Sequence, residues 1–221
     1  PIDPDAIHAA RDALIRAVAA THKTKLESIY YGLRDNGTFQ PDARSAGRRA
    51  LRNSALSYLT AADDEAAAAL AHEHYQSASN MTDMVAGLRA LARTESTKRK
   101  IAFDHFHDRF KSDPLVLDKW MGLQAMAPGT DTVERVRALM NHPSFSLKNP
   151  NRVRALVGAF SSSNPLRFHE HSGQGYALVA EVALAQRIAT DPAVLDLDPL
   201  ADGSADTALR LLLEQARGGR T

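Results

Sequence analysis

Nine histidines and no cysteine decide which chemistry this sequence can hold. Six of them fall in three His-x-His pairs, His72/His74, His105/His107 and His169/His171. Imidazole is the commonest metal ligand in proteins, so a metal site is the first chemistry to weigh. Spacing argues against it. On a helix each residue turns by about 100°, so residues two apart point to nearly opposite sides. The first two pairs lie in stretches of helical periodicity and cannot close on one ion. His169-Glu170-His171 lies near a predicted helix end, where another geometry is open. The zinc-protease signature His-Glu-x-x-His sets two ligands one turn apart with Glu as base. The runs HEHY and HEHS have the wrong spacing for it. The chain also has no G-x-S-x-G elbow and no phosphate-binding glycine loop. No catalytic residue and no metal ligand is therefore assigned in this chain.

Arginines supply the other candidates. In NPNRVRALVGAF, Asn149 precedes Pro150, a cap followed by the residue best suited to the first helical position. A helix should start sharply at Pro150, with Val153, Leu156, Val157 and Phe160 on its apolar face. Arg152 and Arg154 then fall in its first turn, where cations slightly oppose the helix dipole. A surface role explains them; so does pairing with acidic groups of another domain or a substrate. Asn151, Arg152 and Arg154 are kept as interdomain or cavity-facing candidates. A second Asn-Pro step, Asn164-Pro165, marks a short second helix that breaks at Gly173 and Gly175.

The elements that must position these residues are all helical. Residues 1–22 place Ile7, Ala10, Leu14 and Val18 at helical spacing, with Arg11, Asp12 and Arg16 outward. A second helix runs through Leu26, Ile29, Tyr30 and Leu33 and ends at Asn36-Gly37. In the third, residues 42–60, Ala46, Ala50, Leu56 and Leu59 are expected inward. Arg44, Arg48, Arg49 and Arg52 make this helix basic. They read as a solvated or domain-facing surface rather than a nucleic-acid site, because no aromatics interleave them. Residues 63–77 are alanine-rich, which favours helix and close approach of neighbours. Asn80 and Asp83 have capping-box spacing. Phe103, Phe106 and Phe110 form a core stripe, and Asp113-Pro114 opens the helix that holds Trp120. Asp131 and Glu134 read as a further capping pair. GYALVAEVALAQRIAT reads as a helix buried on most sides, and 206–219 as a last helix stopped by two glycines. Eleven or twelve helices with short connections, and no stretch of period two, predict an all-α fold. Its form is a superhelical array of antiparallel helix pairs, an α-solenoid of ARM/HEAT type, without a clean repeat period.

Composition narrows the partners. A formal net charge of +1 gives no electrostatic reason to expect nucleic acid or an anionic membrane. No apolar run approaches the roughly 20 residues that span a bilayer. The absence of cysteine fits a cytoplasmic protein. The sequence starts at Pro1 without methionine, and the expectation is that residues 1–221 form one helical domain cut from a longer chain.

Four stretches together resemble the C-terminal helical domain of the bacterial aminopeptidase N family, zinc-dependent alanyl aminopeptidases of the gluzincin class. They are DPDAIHAARDAL, SNMTDMVAGLRAL, LVLDKWMGLQA and FSLKNPNRVRALVGAFSSSNPLRFH, in matching order and spacing. The resemblance runs from Asp3 to about Tyr176. It implies a parent enzyme, a metalloprotease that removes N-terminal residues from peptides, preferably Ala or basic ones. Its zinc would sit in an upstream catalytic domain, and this chain would hold no cofactor. The superhelical domain would close over that active site and restrict access to peptides. Expected partners are thus the upstream catalytic domain of the same chain and peptide substrates, with no nucleic acid and no membrane. One departure stands out. Where family members have Asn-Pro-Gln-Val followed by Arg, with Gln and Arg reaching toward substrate, this chain reads DPAVLDLDPL, with Ala193 at the Gln position. Those contacts are not carried over. Two other readings remain open on sequence: a free-standing α-solenoid that binds peptide or protein, and a small metalloenzyme using His169 and His171.

Overall fold

The computed structural model describes residues 2–35, 37–62 and 65–190, with side chains to Arg187. Within these residues the chain forms twelve α-helices, one π-helical turn and no strand. The predicted last helix, the DPAVLDLDPL segment and Asn36 lie outside the described residues.

The helices gather into two compact units. The first holds α1 (Pro4–Thr21), α2 (Lys23–Gly32), α3 (Ala43–Leu59), α4 (Glu65–Ser77), α5 (Met81–Leu91) and α6 (Thr97–Phe110). Their starts follow local chemistry. Asp3 Oδ1 accepts from the Ala6 amide at 2.9 Å, and Asp42 Oδ1 from that of Ser45 at 3.0 Å. Asn80 Oδ1 accepts from the Asp83 amide at 3.0 Å, as the capping spacing predicts. Within this unit α4 packs on α5, α2 on α3, and α3 also touches α1 and α5. The core is Tyr30, Leu56, Ala68, Ala71, Tyr75, Leu88, Leu91 and Phe106, all buried. Alanines on α4 and Gly87 on α5 let those two backbones come very close. A Cβ on Gly87 would lie 2.9 Å from the Tyr75 backbone nitrogen.

The second unit holds α7 (Pro114–Ala125), α8 (Thr132–Met140), α9 (Pro150–Val153), a π turn (Arg154–Gly158), α10 (Ala159–Ser163), α11 (Pro165–Phe168) and α12 (Gln174–Thr190). Trp120, Met121, Val136, Leu156, Phe160 and Leu178 form its core. The helix expected from Pro150 is helical throughout, but five residues are wound with the wider π register. Gly122 of α7 faces this turn. A Cβ there would sit 3.2 Å from the Ala155 carbonyl oxygen.

Four expectations are corrected. On α3, Arg49 and Arg52 are buried while Ala46 and Ala50 are exposed. Each arginine has an inward partner: Arg49 donates to the Gln40 carbonyl at 3.0 Å, and Arg52 to that of Tyr30 at 3.3 Å. On α1 no residue is buried; Ile7 and Leu14 are exposed, whereas Asp12 is partly covered and pairs with Arg93 at 3.0 Å. Asp131 makes no side-chain cap on α8; its carboxylate holds Arg135 one turn on instead. Among the described residues α12 buries one stripe, Leu178, Val182 and Ala185, rather than most of its surface.

Candidate functional site

The stretch 149–158 is built from its cap upward. Asn149 Oδ1 accepts from the amides of Asn151 and Arg152 at 3.0 and 3.2 Å, so two of the first turn's free N–H groups are satisfied by one side chain. The three candidates then part. Arg152 turns inward: it is 5% exposed, and its Nη1 donates to Asp118 Oδ1 at 2.7 Å and to the Pro114 carbonyl at 3.2 Å. A carboxylate and the start of α7 thus take up that charge, and α9 is tied to α7. Asn151 and Arg154 are exposed, and the Arg154 guanidinium donates to Asn151 Oδ1 at 3.0 Å.

Arg154 begins the π turn and stands at the rim of an open groove of about 360 Å³. Valines 153, 157, 179 and 182 line the groove, with Ser161 and Gln186 beside them. A cation with a carboxamide at the edge of an apolar groove can hold a carboxylate or a peptide carbonyl next to an apolar side chain. It offers no general base poised on a nucleophile. π turns recur at functional sites because the extra residue re-aims side chains around it.

Each histidine pair gives one member to a tyrosine. His74 Nδ1 lies 3.1 Å from the Tyr30 hydroxyl, His105 Nδ1 2.7 Å from that of Tyr75, and His169 Nδ1 2.6 Å from that of Tyr176. Burial pushes the Tyr75 phenol up to about 12. Among the described residues no group of three His, Cys, Asp or Glu side chains could hold a metal ion. The described residues therefore do not fit a zinc site.

His74 is the most perturbed of these groups. It is 1% exposed, and its Nε2 has no hydrogen-bond partner. Burial first, then the nearby Arg52, lowers its pKa from 6.5 to about 4. The folded ring is neutral while the unfolded chain takes up a proton near pH 6.5. Its contribution to stability is therefore complete above about pH 6.5 and is lost as pH falls toward 4, by up to about 3 kcal/mol. Urea unfolding from pH 7 to 4 should show this slope, and His74→Gln should flatten it.

Residues 1–188 match the family described as a domain of unknown function (DUF3458_C) with ARM repeats. Aminopeptidase N of Caulobacter vibrioides is 43% identical over 182 residues, 82% of this chain and 21% of that protein. Aminopeptidase N of Escherichia coli is 35% identical over 98% of this chain and 26% of that protein. The crystal structure of Legionella pneumophila aminopeptidase A in complex with aspartic acid matches with a TM-score of 0.74 and 30% identity. That match covers 84% of this chain and 23% of the other. The chain thus spans between a fifth and about a quarter of the length of these relatives.

Proposed function

The chain belongs to the ARM-repeat family described as DUF3458_C, and from that premise we propose that it is the C-terminal helical domain of a zinc-dependent aminopeptidase. In this reading residues 1–221 form one domain that caps an active site built in an upstream catalytic domain. The cap encloses the cavity, limits entry to peptides and has no peptidase activity alone. The zinc and the catalytic residues belong to the upstream part, and the enzyme acts in the cytoplasm. No helix of the described residues is long and apolar enough to cross a membrane.

The observation that carries the reading is the 43% identity to an aminopeptidase N across 82% of this chain. The geometry supports it locally. Arg152 anchors α9 to α7; Arg154 stands at the groove rim, and the exposed Asn151 accepts from it. We assign these two as the groups that meet the peptide or the facing catalytic domain.

In the longer aminopeptidase, Arg154→Ala should lower kcat/KM on alanyl peptides about tenfold, the scale of one charge-assisted hydrogen bond, and leave Tm unchanged. Steady-state kinetics beside thermal unfolding check this. Unchanged kinetics would remove Arg154 from the cavity.

A further inference from the structure

The first unit holds a cavity that the candidate site does not use. It lies among α1, α2, α3 and α4 and measures about 560 Å³. Pockets that bury small molecules fall in the range of about 300–1,000 Å³. Small side chains keep it open: Ala19 and Ala20 of α1 and Ala66 and Ala67 of α4 line it where longer residues would fill the space. Its two sides differ in chemistry. The described lining residues of α3 and α4 are uncharged, with Leu59 and Leu70 the large apolar ones. The charged lining residues all come from α1 and α2: Arg16, Lys23 and Glu27. Lys23 and Glu27 lie four apart, and so share one face of α2.

These charges are only loosely committed within the protein. Lys23 Nζ stands 3.9 Å from Glu27 Oε1, and Arg16 Nη2 stands 3.6 Å from Asp12 Oδ2. Both cations are well exposed, and exposed pairs of such length contribute little to stability. Asp12 also has a closer partner in Arg93, at 3.0 Å. Arg16 and Lys23 therefore keep donors for a carboxylate, and Glu27 keeps acceptors for an ammonium. A ligand that uses every part of this cavity carries both charges at one end and an apolar group at the other. We propose that the cavity binds a free apolar α-amino acid. Its carboxylate meets Arg16 and Lys23, its ammonium meets Glu27, and its side chain lies against Leu59, Leu70 and the alanines. Resting on the reading of this chain as part of a longer aminopeptidase, the ligand belongs to the class of compound which that reaction releases, so the domain would sense product.

The probe is L-photoleucine, leucine with a diazirine in its side chain, irradiated with the longer aminopeptidase and mapped by mass spectrometry after digestion. Adducts are expected on the peptides that carry Ala19, Leu59 or Leu70. Excess L-leucine should suppress them. Leucinamide, which lacks the carboxylate, and 4-methylpentanoate, which lacks the ammonium, should suppress them far less. Arg16→Ala with Lys23→Ala should lower this labelling about tenfold and leave Tm unchanged, since both side chains are exposed. No adduct on those three peptides would overturn the proposal. So would labelling that the double variant leaves intact, or that all three competitors suppress equally, because the charges would then recognise nothing. Hydrolysis of an alanyl substrate by the same enzyme is read in parallel. If that activity is missing, the aminopeptidase reading fails, while the adduct map still judges the cavity.

Discussion

Asp83→Ala is expected to lower the unfolding free energy of this chain by about 3–5 kcal/mol, the cost of leaving a buried charge without its partner. Asp83 and Arg52 are 5% and 7% exposed, and Arg52 Nη1 lies 3.8 Å from Asp83 Oδ2. The carboxylate serves two further groups. It accepts from Asn53 Nδ2 at 2.8 Å and from Asn80 Nδ2 at 3.0 Å, which ties α3 to the start of α5. Arg52 itself lies over the Tyr30 ring at 4.7 Å, and Tyr30 in turn meets His74. One truncation therefore strands a buried guanidinium and takes the acceptor from two part-buried carboxamides. Urea unfolding measures the loss. Asp83→Asn keeps the shape but puts an Nδ2 donor where one accepting oxygen stood, so it removes the charge together with one of the two carboxamide hydrogen bonds. Arg52→Met added to Asp83→Ala should recover part of the stability, since the stranded charge goes too. A loss below about 1 kcal/mol for Asp83→Ala would mean that water reaches the pair.

The second large effect lies on the neighbouring helix pair. Gly87→Ala should cost about 2–3 kcal/mol, although alanine is the better helix former. Its Cβ would fall 2.8 to 2.9 Å from Tyr75 Cβ, Cα and N. These are atoms of the facing helix rather than the tip of a flexible side chain. Relief therefore requires α4 and α5 to move apart, with Tyr75 and Leu88 losing contact on both sides. Gly47 is the matched control. It sits inside α3 with nothing within 4 Å of the added carbon. There the substitution should stabilise by about 0.5–1 kcal/mol through propensity alone. Opposite signs for one chemical change, read by chemical denaturation, would place the effect in packing. A Gly87→Ala variant as stable as the parent would contradict the close approach of the two helices.

Helix starts were legible in the sequence because they depend on a few adjacent residues. Asp3, Asp42, Asn80, Asn149 and Asn164 each cap the helix they precede. What escaped depends on partners far along the chain. Periodicity ranks arginine outward, and so points Arg49 and Arg52 to the surface and Ala46 and Ala50 to the interior. Arg52 is buried because Asp83 waits on α5, 31 residues away, and no local pattern reports that. Arg152 repeats the case with Asp118, 34 residues upstream. Basic residues at every third or fourth position with a distant unpaired acid are the only signal the sequence held. The π turn left no trace, since one added residue per turn changes no residue type. The apolar spacing of α1 is legible, but the exposure of Ile7 and Leu14 is not, because local periodicity does not report which face of a helix meets its neighbours. The candidate site was half visible. Asn151 and Arg154 are exposed on the stretch singled out, while the groove beside them needed α12, some 20 residues further on, to exist.

The central claim is that this chain is an inert cap on a peptidase whose chemistry lies elsewhere in the polypeptide. The most direct test is hydrolysis of an alanyl chromogenic substrate, with bound zinc assayed on the same samples, for residues 1–221 and for the longer chain side by side. The expected result is turnover and about one zinc per molecule in the longer chain, and neither in residues 1–221. Zinc-dependent turnover by residues 1–221 alone would place an active site among the histidines of this chain. A longer chain without peptidase activity would contradict the aminopeptidase assignment itself.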